Sequence, residues 1–318
     1  MTAHTPTTMI QSTRRARHRL KWVSRAAATT AGAALVLGSS AAAASATTNT
    51  HAAGRSPSSS ILRAVDAAIQ KQRAAEAVLT KARFGIPTAT TPNWSGYVDT
   101  NYKSTGKFTI VWAQWNVPQV APAPSDCNAG TFATGEGLAG FWVGLDGDGT
   151  GTVEQTGTAT ECYQGTAYYW DWYEMYPNPP VVIGAVNPGD EIQATVSNTT
   201  GKYSVAINDV TAGAAWSGVE SCPTTCLDRS AEVIAEAPGG CVTSPGQTCR
   251  GGNFLLPDFQ WARFTGISVA SKTASGGIGK GAFGPQRLTM VNSGNIKLSV
   301  VTSALRNSAF TVSWKASG

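Results

Sequence analysis

The chain has 318 residues, enough for one large domain or two ordinary ones, and only 14% of them are charged. Its net charge of +5 conceals a division: residues 1–84 hold 12 Lys and Arg against 2 Asp and Glu, whereas residues 85–318 hold 12 against 17. A basic leader is joined to an acidic body of net −5, which disfavours nucleic acid as a partner, since the positive charge belongs to the leader alone.

The leader opens with Arg14, Arg15, Arg17, Arg19, Lys21 and Arg25, followed by a run of small and apolar residues that closes on Ala44-Ser45-Ala46. A basic stretch, an apolar stretch and an A-x-A ending read as a secretory signal over 1–46, with both general and twin-arginine export left open. A membrane anchor is not expected, because no second apolar stretch approaches about 18 residues. Between Ile61 and Phe84, apolar residues recur at helical spacing with Arg63, Lys71, Arg73, Lys81 and Arg83 between them, which predicts an amphipathic basic helix. Residues 47–90 thus read as a pro-segment able to lie over an acidic cleft, or else as a solvated stalk.

Beyond residue 90 the periodicity turns strand-like. Predicted strands cover 94–98, 108–117, 138–145, 152–156, 167–175, 191–197, 203–208 and 231–236, then 259–265, 288–291, 297–301 and 309–314. No helix is predicted among them. So many short strands punctuated by Gly, Pro, Asn and Asp indicate an all-β domain over 91–318, a large jelly-roll-like antiparallel sandwich of two packed sheets. The six cysteines (Cys127, Cys162, Cys222, Cys226, Cys241, Cys249) all lie in this body. In an exported chain they imply disulfides; of the 15 pairings, the local set Cys127–Cys162, Cys222–Cys226 and Cys241–Cys249 is the reading adopted.

The histidines limit the chemistry. His4, His18 and His51 all precede the body. Catalysis by Ser-His-Asp or Cys-His and the usual zinc sites therefore have no base or ligand there, and neither metal nor cofactor is expected. Proton transfers would fall to carboxylates, which work best in acid unless burial raises their pKa. Asp146-Gly147-Asp148-Gly149 supplies the left-handed positions of a hairpin, and its returning arm places Val153, Gln155 and Gly157 on one face. Glu232 and Glu236, four apart on a strand, share another face. Trp170, Trp172, Glu174 and Tyr176 share a third, suited to gripping an extended ligand.

Six pieces in order carry a resemblance: Asn93-Trp94-Ser95-Gly96, Trp115-Asn116-Val117-Pro118, Phe141-Trp142-Val143-Gly144-Leu145-Asp146-Gly147, Glu154-Gln155-Thr156-Gly157, Trp172-Tyr173-Glu174-Met175-Tyr176-Pro177 and Ala231-Glu232-Val233-Ile234-Ala235-Glu236. Over residues 90–265 the chain resembles the glutamic peptidases, or eqolisins. The resemblance implies a secreted, acid-acting endopeptidase made as a precursor, acting on protein or peptide substrates. Its catalytic Gln and Glu fall on Gln155 and Glu236, with supporting positions at Trp142, Asp146, Trp172 and Glu174, and Glu232 as the neighbouring carboxylate. Two acids of the fungal members are replaced: Thr158-Ala159 stands where one follows the Q-T-G, and Trp170 where another precedes W-Y-E. A monomer is expected, with its own pro-segment as inhibitor. The competing class is a carbohydrate-active or carbohydrate-binding sandwich using Glu174 and Glu236; a purely adhesive domain is a third.

Overall fold

The computed structural model describes residues 78–80, 86–120, 127, 136–239, 249–250, 252–279, 281–303, 305 and 308–318. The signal expected at 1–46 and nearly all of the helix expected over 61–84 lie outside these residues. Of that helix only Val78–Thr80 is described, and it is a strand paired antiparallel with Thr88–Thr91. Two of its three residues are β-branched, which favours an extended backbone where a partner edge is present.

The strands run in chain order as β1 Val78–Thr80, β2 Thr88–Thr91, β3 Trp94–Asp99, β4 Phe108–Asn116, β5 Glu136–Asp146, β6 Val153–Tyr163 and β7 Thr166–Tyr176. There follow β8 Val181–Ala185, β9 Glu191–Thr199, β10 Lys202–Asp209, β11 Ala214–Ser221, β12 Ala231–Glu236, β13 Cys249–Arg250 and β14 Asn253–Phe254. The last are β15 Trp261–Ser271, β16 Ser275–Gly276, β17 Pro285–Val291, β18 Lys297–Val301 and β19 Phe310–Trp314. Among the described residues, helix is confined to one turn at Tyr102–Thr105 and a 3₁₀ turn at Gly281–Phe283.

The first sheet runs β8-β7-β6-β5-β12-β3-β17, with β2 parallel to β17 on its far side. The strand β2 spans the boundary expected between residues 90 and 91, and its Ala89 is fully buried. The second sheet runs β11-β10-β9-β4-β15. The long strand β15 belongs to both: Trp261–Phe264 pairs with β19, and from Thr265 onward it pairs with β4 through an irregularity between Thr265 and Ser268. Gly266, at φ 61°, makes that bend, as corner strands of packed sheets require.

Between the sheets lies an aromatic core. Trp115 meets Phe264, Phe264 meets Phe310 and Phe310 meets Tyr97, with ring centroids 4.9–5.6 Å apart. The Trp115 Nε1–H donates to Thr158 Oγ1 at 3.0 Å, so the one polar atom of this buried ring is satisfied. Ala231, Val233 and Ala235 of β12 point into this core. Residues 232, 234 and 236 therefore lie on the opposite face. Two of the expected disulfides, Cys127–Cys162 and Cys222–Cys226, are present; the third depends on Cys241, outside the described residues.

Candidate active site

The face of the first sheet turned away from the second carries its own apolar cluster, including Trp142, Trp170, Trp172 and Ile234. Alternation along β12, β5, β6 and β7 aligns three rows across it. One row is Glu232, Gly144, Gln155 and Glu174; the next is Ile234, Trp142, Gly157 and Trp172; the third is Glu236, Gly140, Ala159 and Trp170. Each row thus contains one glycine, and the Trp142 indole lies in the space so left. A Cβ at Gly157 would stand 2.1 Å from the Phe141 carbonyl oxygen and 2.6 Å from Trp142 Cβ, so only glycine fits beneath the ring. The hairpin that aligns the rows turns through positive φ at Asp146, Gly147 and Gly149, as the Asp-Gly alternation predicts.

Two hydrogen-bonded groups stand on this face. Gln155 Nε2–H donates to Glu174 Oε2 across the β6–β7 pair. Glu236 accepts from Trp142 Nε1–H at Oε2, 2.8 Å, and from Asn93 Nδ2–H at Oε1, 3.1 Å. Trp94 stacks edge-on against Trp142, with centroids 5.1 Å apart at 76°. Gln155 and Glu236 are buried but keep 6% and 8% of their surface, so neither is fully sealed. The Trp142 ring reaches from Glu236 at its nitrogen edge to Gly144, beside Gln155, at its Cζ3 edge. It stands between the two groups.

Trp172 lies on the same face, on β7 beyond Gln155 and in the row of Trp142. The other expected residues are placed differently. The Asp146 carboxylate accepts the backbone N–H groups of Leu227, Asp228 and Arg229 at 2.6, 2.7 and 2.8 Å. It anchors the loop that leads into β12. Glu232 has no exposed surface, and neither carboxyl oxygen makes a hydrogen bond. Burial, above all, drives its pKa well above the usual carboxylate range. Sequence reasoning quoted Asn93 and Trp94 but gave them no role; their signal was the Asn-Trp-Ser-Gly piece, whose polar first residue precedes a strand otherwise buried.

The family model described as Peptidase A4 matches residues 92–314. The chain belongs to the peptidase A4 family. Among solved structures, scytalido-glutamic peptidase with a peptide-based transition-state analogue is 25% identical, covering 70% of this chain and 98% of that one at a TM-score of 0.55. SCP-B, a member of the eqolisin family in complex with the tripeptide Ala-Ile-His, is 25% identical with the same coverage and a TM-score of 0.53. No curated protein sequence matches. This peptidase is therefore of the glutamic type, and the carbohydrate reading is set aside.

Its buried acids give stability a definite pH dependence. Burial pushes Asp99 up to about 7, offset in part by the Gly279 N–H, and Asp171 up to about 6, offset by the Gly184 N–H. Glu232 is raised further. Below the unfolded values, near pH 4, folded and unfolded chains hold these protons alike, and stability is at its plateau. Above pH 4 the unfolded chain releases them first, so stability falls by about 1.4 kcal/mol per pH unit for each group until its folded pKa is passed. Thermal melts from pH 3 to pH 8 should show the highest Tm at the acid end, and Asp99→Asn should flatten the decline between pH 4 and 7. A Tm that holds level or rises from pH 4 to 7 contradicts this.

Proposed function

We propose that this peptidase is a secreted acid endopeptidase in which Glu236 is the general base and Gln155 the oxyanion donor. The observation that carries the reading is the pairing of donors and acceptors on one half-closed face: a carboxylate oriented by an indole and an amide, and a Gln amide oriented by a second carboxylate. Glu236 takes a proton from water as it attacks the scissile carbonyl, then returns it to the leaving amine. The second hydrogen of Gln155 Nε2 stabilises the oxyanion; being a neutral amide, it donates at any pH. Glu174 holds that amide in register. Trp142 sets the distance between the two groups, and Trp172 lines the groove for an extended peptide, the substrate class suggested by the ligands of the two relatives.

The proposed organisation is a signal over 1–46, a pro-segment that begins at 47 and ends ahead of β2 rather than at the expected 90, and the peptidase from β2 to 318, acting as a monomer outside the cell. The buried Ala89 and the Thr91 Oγ1–H bond to the Trp94 carbonyl, 2.8 Å, favour processing ahead of Thr88, which leaves β2 in its sheet. The charge division, +10 against −5, supports a pro-segment held over the acidic body near neutrality and released as its carboxylates take up protons.

Removing one oxyanion donor costs on the order of 100- to 1000-fold in turnover. Gln155→Ala should lose at least that, and Glu236→Gln should lose nearly all activity, both at unchanged Tm in acid. The assay is digestion of a protein substrate across pH; near-normal turnover by folded Glu236→Gln would transfer the base to another residue.

A synthetic 55–84 peptide added to processed enzyme should inhibit more at pH 6 than at pH 3.5, and less in high salt, which screens charges beyond roughly 8–10 Å. Equal inhibition under all conditions, or none at any, refutes the electrostatic contact.

A further inference from the structure

Asn93 stands in the turn between β2 and β3, beside the end of β12. The turn Thr91-Pro92-Asn93-Trp94 is closed without the Asn93 side chain. The Thr91 hydroxyl donates to the Trp94 carbonyl at 2.8 Å and accepts the Trp94 N–H at 2.7 Å. The Pro92 carbonyl accepts from Asn253 Nδ2–H at 3.1 Å, and the Asn93 carbonyl accepts the Ala237 N–H at 2.8 Å. Asn side chains in turns commonly bond the backbone of their own turn. That of Asn93 reaches instead to the Glu236 carboxyl group, 143 positions away in the chain. Local turn chemistry therefore does not account for an amide at this position.

The Glu236 carboxyl group is met from two sides. Trp142 Nε1–H donates to Oε2 at 2.8 Å, and Asn93 Nδ2–H donates to Oε1 at 3.1 Å. The terminal torsion of a Glu side chain is broad, so a single donor leaves the carboxyl plane free to turn about the oxygen it holds. A second donor on the other oxygen fixes that plane. The two donors differ in how they are held. Trp142 has no exposed surface, whereas Asn93 is half-buried on its turn and is pinned through its carbonyl to the residue that follows Glu236. A carboxylate offers about four acceptor positions, so both bonds can persist while a water is bound. Donors to the charged form of an acid favour that form, and an amide, which does not titrate, still donates in acid.

We propose that Asn93 is a positioning residue for Glu236: its side-chain amide fixes the plane of the carboxyl group and favours the ionised form that can take a proton from water. The inference rests on the reading of Glu236 as general base. Alanine at position 93 would leave Oε1 without this donor. Aspartate, of the same size, would donate only while protonated and would repel the Glu236 carboxylate once ionised.

The test is the pH dependence of kcat and kcat/KM for a soluble peptide substrate, with protein made from the full chain. Asn93→Ala should lower kcat on the order of 10-fold or more, with KM changed less than about threefold. It should also move the acid limb of kcat/KM, which reports the free enzyme's base, up by on the order of one pH unit. Asn93→Asp should lose more activity relative to the parent at pH 5 than at pH 3, because its donor titrates away. A purely structural Asn93 would lower Tm and leave both pH signatures unmoved. If Asn93→Ala does not fold, the Asn93→Asp ratio decides alone. A folded Asn93→Ala with the parent's kcat and acid limb, or an Asn93→Asp ratio equal at the two pH values, overturns the proposal. With Glu236→Gln inactive, that result removes the positioning role and leaves the base in place; near-normal turnover by folded Glu236→Gln removes both.

Discussion

The hydrogen bond from the Trp142 indole to Glu236 is the contact on which the candidate active site depends. A carboxylate on a strand face beneath aromatic rings would otherwise be a buried acceptor short of donors, a costly state. Trp142 supplies the donor, and with Asn93 it leaves Glu236 oriented and still touched by solvent. The same ring sets the spacing to Gln155. It can do so because Gly140, Gly144 and Gly157 leave its floor free of side chains, so glycine positions in three rows become part of the candidate site's geometry although none is reactive.

A second constraint is charge. The body holds more acids than bases, and several of the acids are fully enclosed: Asp99, Asp146, Glu154 and Glu232 have no exposed surface. Each is handled differently. Asp146 receives three backbone N–H groups, Asp99 receives one from Gly279, and burial raises the pKa of Glu154, to about 9, and of Glu232. A fold that encloses protonated carboxyl groups is most stable where carboxyl groups are protonated, so the preference for acid is built into the scaffold as well as into the chemistry proposed for its site.

Much of this was legible from residues alone. Strand periodicity, the Asp-Gly hairpin and the missing histidines pointed to an all-β domain with carboxylate chemistry, and β12 and β18 fall where the alternation put them. The shortfalls have physical causes. The strand β11 was missed because Ala214–Ser221 is an edge strand with no buried face to produce an apolar alternation. The extent of β6 was underestimated because Thr158, Thr160 and Glu161 look polar in sequence yet are buried in the interior. The position of Asp146 was misleading for another reason: one positive φ swings its carboxylate to the loop at 227–229, a choice that strand alternation does not encode. Nor does spacing reveal that Glu232, rather than Glu236, shares a row with Gln155, since that depends on the register of three strands.

The claim most exposed to contradiction is that Gln155 and Glu236 act as one unit on a single water, although a tryptophan stands between them. A double-mutant cycle on kcat/KM for a peptide substrate in acid tests it directly, with Gln155→Ala, Glu236→Gln and both together. If the two serve the same attack, the double variant should be no slower than Glu236→Gln alone, because the donor has nothing to stabilise once the base is gone. Losses that multiply, each residue keeping its full effect without the other, would mean that they act in separate steps and that the shared-water account is wrong.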